Sequence, residues 1–165
     1  MPSRPCPQLV RAADIAAAEA EFHHPWNPAS HLIGAHLSRL GGLARTGLSL
    51  ARIPPGRESF SYHSHHYEEE WIYILSGRGI ADIGEASYEV GPGDFMAFPT
   101  PSVAHHLRNP FETELVYLMG GENRPVEIAE FPRLGRRTVR IRDKVETFPM
   151  EPPSADATAA PRRRR

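Results

Sequence analysis

The sequence predicts an all-β protein, an antiparallel sandwich or barrel, and three observations carry that prediction. From Gly41 onward, short β-prone runs recur at intervals of about ten residues, and turn residues separate them. No long amphipathic helical pattern falls between the runs, so there is no crossover element for a parallel sheet. The chain of 165 residues suffices for one buried core and is short for two, and no internal repeat divides it.

Residues 1–40 read as an N-terminal arm. Asp14 to Phe22 is rich in Ala and Glu and predicts about two turns of helix, a length that needs tertiary contacts to persist. His23 to His31, HHPWNPASH, carries two prolines and is expected to run extended over the body. Residues 41–122 are the barrel core. Strands are expected in TGLSLARI, SFSYHSH, EWIYILSG, the stretch RGIADIGEASYEVGPGDFMAFPTPS, AHHLRN and ELVYLMGG. Gly84-Glu85 is placed at a tight hairpin and Gly91-Pro92-Gly93-Asp94 at a second corner. Residues 123–148 form a more polar peripheral extension, in which TVRIR is the best strand candidate. Residues 149–165 are dominated by Pro, Ala and small polar residues and cannot bury enough apolar area to order themselves, so a disordered tail is expected.

Nineteen Lys and Arg against twenty Asp and Glu give a formal charge of −1, so no whole-molecule field draws the chain to nucleic acid or to an anionic membrane. Arg162 to Arg165 break that balance, but four charges on a flexible tail read as a solvated end. Cys6 is the sole cysteine, which excludes an internal disulfide and any Cys-rich zinc site and fits a reducing cytoplasm. No segment approaches the roughly 20 apolar residues of a membrane span, and the N-terminus lacks a signal-peptide core. A soluble cytoplasmic protein is expected.

Three of the nine histidines crowd into Ser61 to His66, and three glutamates follow at once. Residues i and i+2 of a strand share a face, so His63 and His65 point the same way. A turn through His66 to Glu69 lets Glu70 open the next strand beside them. Two imidazoles and a carboxylate then converge from one hairpin, a donor set for a divalent transition metal such as Fe, Mn, Ni, Cu or Zn. A fourth ligand comes from PTPSVAHHLRN, as His105 or His106. The other N–H of a ligating imidazole needs an acceptor, and Glu68, Glu69 or a backbone carbonyl can supply it. His23, His24, His31 and His36 lack partner spacing and receive no role.

The same residues resemble the two motifs of the cupin superfamily, G-x5-H-x-H-x(3,4)-E-x6-G and G-x5-P-x-G-x2-H-x3-N. The first reads Gly56, His63-Ser64-His65, Glu70 and Gly77, with one extra residue before His63. The second reads Gly93, Pro99, His105 and Asn109, with Pro101 at its middle glycine and one extra residue before His105. The resemblance spans about Thr46 to Gly120. Flanking HPWNPAS, LARIPPG and EFPRLG look like a poorly characterised group of bacterial single-domain cupins. It implies a jelly-roll barrel, an antiparallel double sheet holding one metal through His63, His65, Glu70 and His105. On spacing alone, Glu69 for Glu70 and His106 for His105 stay open.

If these ligands face inward, so do Ser59, Ser61, Ile72 and Ile74, and an apolar interior beside Leu107 is expected to take the substrate. Phe60, Tyr62, Trp71 and Tyr73 then face outward, and the resemblance implies a homodimer through that aromatic sheet face. Four protein ligands leave positions open on a six-coordinate ion, which permits catalysis on a small oxygen-bearing molecule such as a keto or hydroxy acid, an aromatic diol or a sugar fragment. The cupin superfamily spans dioxygenases, isomerases, lyases and binding proteins, so the reaction class stays open. A non-catalytic sensor acting through a protein partner is the alternative. Direct DNA binding is disfavoured because the proline-broken arm is too short for a helix-turn-helix. A metal-free sugar-nucleotide epimerase is disfavoured by the intact ligand set.

Overall fold

The computed structural model describes Cys6 and residues 8–150. Its elements are helix α1 (Ala12–Ala17), strands β1 (Ala20–Phe22) and β2 (Leu32–Ala35), helix α2 (Leu37–Leu40), and then strands only. These are β3 (Thr46–Ile53), β4 (Arg57–Glu58), β5 (Ser64–His65), β6 (Glu70–Ser76), β7 (Gly79–Ile83), β8 (Ala86–Val90), β9 (Phe95–Phe98), β10 (His105–Asn109) and β11 (Leu115–Glu122). Three more follow, β12 (Val126–Phe131), β13 (Arg136–Ile141) and β14 (Lys144–Pro149), with a short 3-10 turn at Pro132–Leu134.

Every strand pairing within the sheets is antiparallel. A six-stranded sheet runs β1-β2-β3-β11-β6-β9, and a four-stranded sheet runs β4-β10-β7-β8. The core lies between them: Ile53, Ile72, Ile74, Leu115 and Tyr117 from the larger sheet meet Ala81, Val90 and Leu107 from the smaller. This is the antiparallel sandwich that the strand rhythm predicts, in the jelly-roll form that the motif resemblance implies. Alternation along β6 shows its cause, since Ile72 and Ile74 are buried while Tyr73 and Leu75 are exposed. Each such buried side chain stabilises the fold by about 1.5–3 kcal/mol over an exposed one. Gly84-Glu85 closes the β7–β8 hairpin, and Asp94 accepts the Gly91 N–H at the next corner.

A third sheet, β14-β13-β12-β5, forms where the sequence offered one peripheral strand. Its join to the barrel is short but important for the site: Ala129 pairs with His65 and Glu130 with Ser64. The helix expected through Asp14 to Phe22 ends at Ala17, and Ala20–Phe22 pairs with β2 instead. So short a helix gains little from propagation, whereas a sheet edge satisfies the same backbone groups. The expected tail reaches β14 at Pro149, and from residue 151 it lies outside the described residues.

Two of the four aromatics expected on the outer face are elsewhere. Phe60 packs on Phe22, with ring centroids 5.3 Å apart, and turns toward the site. Tyr62 donates to the Gly84 carbonyl at 2.6 Å and lies under the Arg133 guanidinium. The reason is local: β4 ends at Glu58 and β5 begins at Ser64, so strict alternation lapses between them. Trp71 and Tyr73 do occupy the outer face, with Phe95 beside Trp71. Gly120 permits this packing, because a Cβ there would fall 2.5 Å from the Trp71 ring.

Candidate metal centre

Three strand termini and the residue just before β5 meet at one rim of the sandwich. His65 closes β5, Glu70 opens β6 and His105 opens β10. His63 is held against β10 by reciprocal backbone hydrogen bonds with His105, 3.1 and 2.8 Å long. The structure brings all four sequence-predicted side chains together around one oxygen. Glu70 Oε2 lies 2.8 Å from His105 Nε2, 3.4 Å from His65 Nε2 and 4.0 Å from His63 Nε2. None of the four side chains is more than 22% exposed.

Each imidazole turns its Nδ1 away from that point. His63 Nδ1 donates to the Ser61 carbonyl at 2.7 Å and His105 Nδ1 to the Val103 carbonyl at 3.1 Å. The His105 ring also stacks on Phe98, 3.6 Å between centroids. His65 Nδ1 stands 3.5 Å from Glu127 Oε1, in contact but without hydrogen-bond alignment. Glu127 is itself fixed by the His66 and Tyr67 N–H groups, at 2.9 and 3.1 Å. Three imidazoles with Nδ1 facing acceptors and Nε2 turned toward one carboxylate oxygen form, with that carboxylate, a donor set that fits a borderline divalent cation.

The electrostatics follow from burial and proximity. Burial opposes ionisation of Glu70, but hydrogen bonds from His105 and His65 outweigh it and hold the carboxyl well below the usual carboxylate range. Burial lowers His63 to about 3 despite the Glu70 charge. His65 is buried too, yet Glu127 and Glu70 on either side raise it to about 9. The neighbours that spacing left open lie apart. Glu69 is exposed. His106 points to the opposite face of β10, between Asp82 at 3.5 Å and Glu58 at 3.3 Å.

A cavity of about 470 Å³ opens over His63, His65 and Glu70. Phe60, Met119, Phe131 and His24 wall it, and Arg39 and Glu122 stand among its lining residues. It is not the interior the sequence pointed to. Ser59, Ser61, Ile72, Ile74 and Leu107 are all buried, and only about 20 Å³, lined in part by Tyr117, lies beneath the four donors. Sequence reasoning missed His24, Phe131 and Glu127. Their positions come from the arm and from β12, and no spacing ties either segment to the His and Glu cluster.

Comparison with known proteins agrees with this architecture. A family model described as a cupin domain matches residues 49–121. The chain is similar to a solved structure from Acidithiobacillus ferrooxidans, a proposed sugar phosphate isomerase: identity is 32% and TM-score 0.83, over 87% of this chain and 92% of that one. A sugar phosphate isomerase from a cupin superfamily, from Silicibacter pomeroyi, shares the fold at 22% identity and TM-score 0.72, covering 79% of this chain and 85% of its own. An uncharacterized protein of Methanocaldococcus jannaschii is 34% identical over 65 residues, 39% of this chain, and the chain spans 50% of that curated relative.

Proposed function

We propose that this chain, which belongs to the cupin superfamily, is a cytoplasmic enzyme that holds one divalent transition metal, Fe, Mn, Ni, Cu or Zn, through His63, His65, Glu70 and His105 and isomerises a small phosphorylated sugar. The observation that carries the reading is the convergence of three Nε2 atoms on Glu70 Oε2, with His63, His65 and Glu70 lining a cavity of about 470 Å³. The solved relative at 32% identity supports the substrate class. When bound, such an ion supplies Lewis-acid polarisation of a substrate carbonyl or hydroxyl.

The chain's own groups supply the rest. Phe60, Met119 and Phe131 exclude water from one side of the cavity. His24 Nδ1 accepts the Trp26 N–H at 3.3 Å and meets the Ser61 hydroxyl at 2.9 Å. Burial lowers the His24 pKa, so the ring is neutral near pH 7 and carries its proton on Nε2. That N–H is a donor for a substrate hydroxyl. Arg39 offers a guanidinium to the phosphoryl end of an extended substrate.

The test is a panel of aldose and ketose phosphates incubated in D2O with metal-loaded wild type, His63→Ala and His105→Ala. Deuterium entering the carbon beside the carbonyl in wild type alone, with metal lost from both variants, is the expected result. A second reading, a sensor that binds a small molecule and acts through a protein partner, draws on the exposed face around Tyr73 and Phe95. Saturable binding with no exchange on any substrate would favour it. We also propose that this face pairs two copies of the chain.

A further inference from the structure

A second cluster of metal-type donors lies on the arm, apart from the ligands above. Glu21 and His23 stand two apart and share one side of the chain as it leaves β1. β1 pairs with β2 through Phe22↔Leu32, and His23 and His31 extend that register by one step. Their rings stack with centroids 4.6 Å apart. Glu21 Oε2 lies 3.7 Å from His23 Nε2 and 3.6 Å from His31 Nε2. His23 Nδ1 donates to the Ser30 carbonyl at 2.8 Å, which leaves the Nε2 lone pair free. His31 Nε2 is buried and has no hydrogen-bond partner among the described residues.

We propose that Glu21, His23 and His31 form a second metal site, for zinc or a similar borderline cation. A tetrahedral ion about 2.0–2.1 Å from its ligands sets donors about 3.3 Å apart, so the Glu21 oxygen needs to close on each imidazole by only a few tenths of an ångström, and all three donor atoms already lie within 4.8 Å of one another. Two imidazoles with one carboxylate favour Zn, Ni, Cu or Co over Mg and Ca, which take oxygen ligands. Water completes the coordination. Because the three donors bracket the turn from His23 to His31, the ion ties that turn to the β1–β2 hairpin. His24 and Trp26 lie within the turn, and His24 lines the cavity. An ion on the arm therefore fixes one wall of the main site while touching none of its ligands.

Zinc titration of metal-stripped full chain, with chelator competition and elemental analysis, tests this. Wild type should take up two ions, and His63→Ala should keep one. Glu21→Gln and His23→Ala should weaken the arm ion by more than the roughly 10–100-fold that loss of an outer contact costs, and leave the other ion unchanged. Glu21 and His23 side chains are 66% and 59% exposed, so both variants fold. In His63→Ala loaded with one Cu(II), electron paramagnetic resonance should show two imidazole nitrogens, falling to one when His23→Ala is added. A single ion in wild type that depends on His63 overturns the proposal, as does a second ion indifferent to both arm variants. A single ion that survives His63→Ala but is lost with His23→Ala supports the arm site and counts against the main one.

Discussion

His65 sits between two carboxylates, Glu70 and Glu127, and they raise its pKa from 6.5 to about 9 although burial alone would lower it. Below that value the metal-free protein carries an imidazolium there, and a cation must displace its proton. Apparent zinc affinity should therefore climb about tenfold per pH unit through neutrality and level off near pH 9, read by competition against a pH-insensitive chelator. Glu127→Gln should move that plateau toward lower pH and weaken binding by roughly 10–100-fold, the usual cost of losing the group behind a ligating imidazole. Linkage gives the stability of the metal-free form its shape. The raised pKa of His65 contributes stability that is full below pH 6.5 and is lost as pH rises through about 9. The depressed pKa of His63 works the other way, so stability falls as pH drops from 6.5 toward about 3. Thermal melts of metal-free protein across this range should peak near pH 6.5, and a peak near pH 9 would contradict the His65 shift. At this scale i, i+2 alternation and the short step to the next strand drew His63, His65 and a glutamate together as local rules, whereas spacing alone left Glu69 against Glu70 and His106 against His105 open. The sequence could not disclose Glu127, since which distant carboxylate faces an imidazole depends on how β12 docks.

The six-stranded sheet depends on close backbone approach at β2. A Cβ on Gly34 would lie 2.2 Å from the Leu50 carbonyl oxygen, which leaves β2 no room to stay in register beside β3. Gly34→Ala should cost about 3 kcal/mol and lower the melting temperature by roughly 6–12 °C. Calorimetry checks this, and a change under 2 °C would mean that the edge strand contributes little. Strands β3, β6, β7, β8, β10 and β11 were legible because period-2 alternation and turn residues mark them directly. The arm strand β1 and the third sheet as a whole were not, since of β12, β13 and β14 only β13 was marked, by TVRIR. The first overrides a local helical preference, and the second is too polar for its alternation to signal burial. That polar sheet nonetheless carries Glu127 and Phe131 to the site.

On the whole molecule, Phe95 at 62% exposure, Tyr73 at 39% and the Trp71 ring beside Phe95 form an apolar outer face on β6 and β9. This is the face that the proposed pairing of two copies would cover. Size exclusion with light scattering at micromolar concentration should give twice the chain mass, and Phe95→Glu should return it to one. A monomeric wild type would count against pairing through this face. Among the described residues, no helix is long and apolar enough to cross a membrane. The outward aromatics were half legible, since parity holds on β6 and fails in the irregular stretch before β5. The pairing of β5 with β12 also bears on the order of events during synthesis. As the chain emerges from the ribosome, all four rim donors are out by residue 105, but the carboxylate behind His65 and the ring that walls the cavity follow only with Val126–Phe131. A nascent chain stalled between those points can gather the donors but lacks the group that backs His65, so tight capture of the proposed cation would await synthesis of β12.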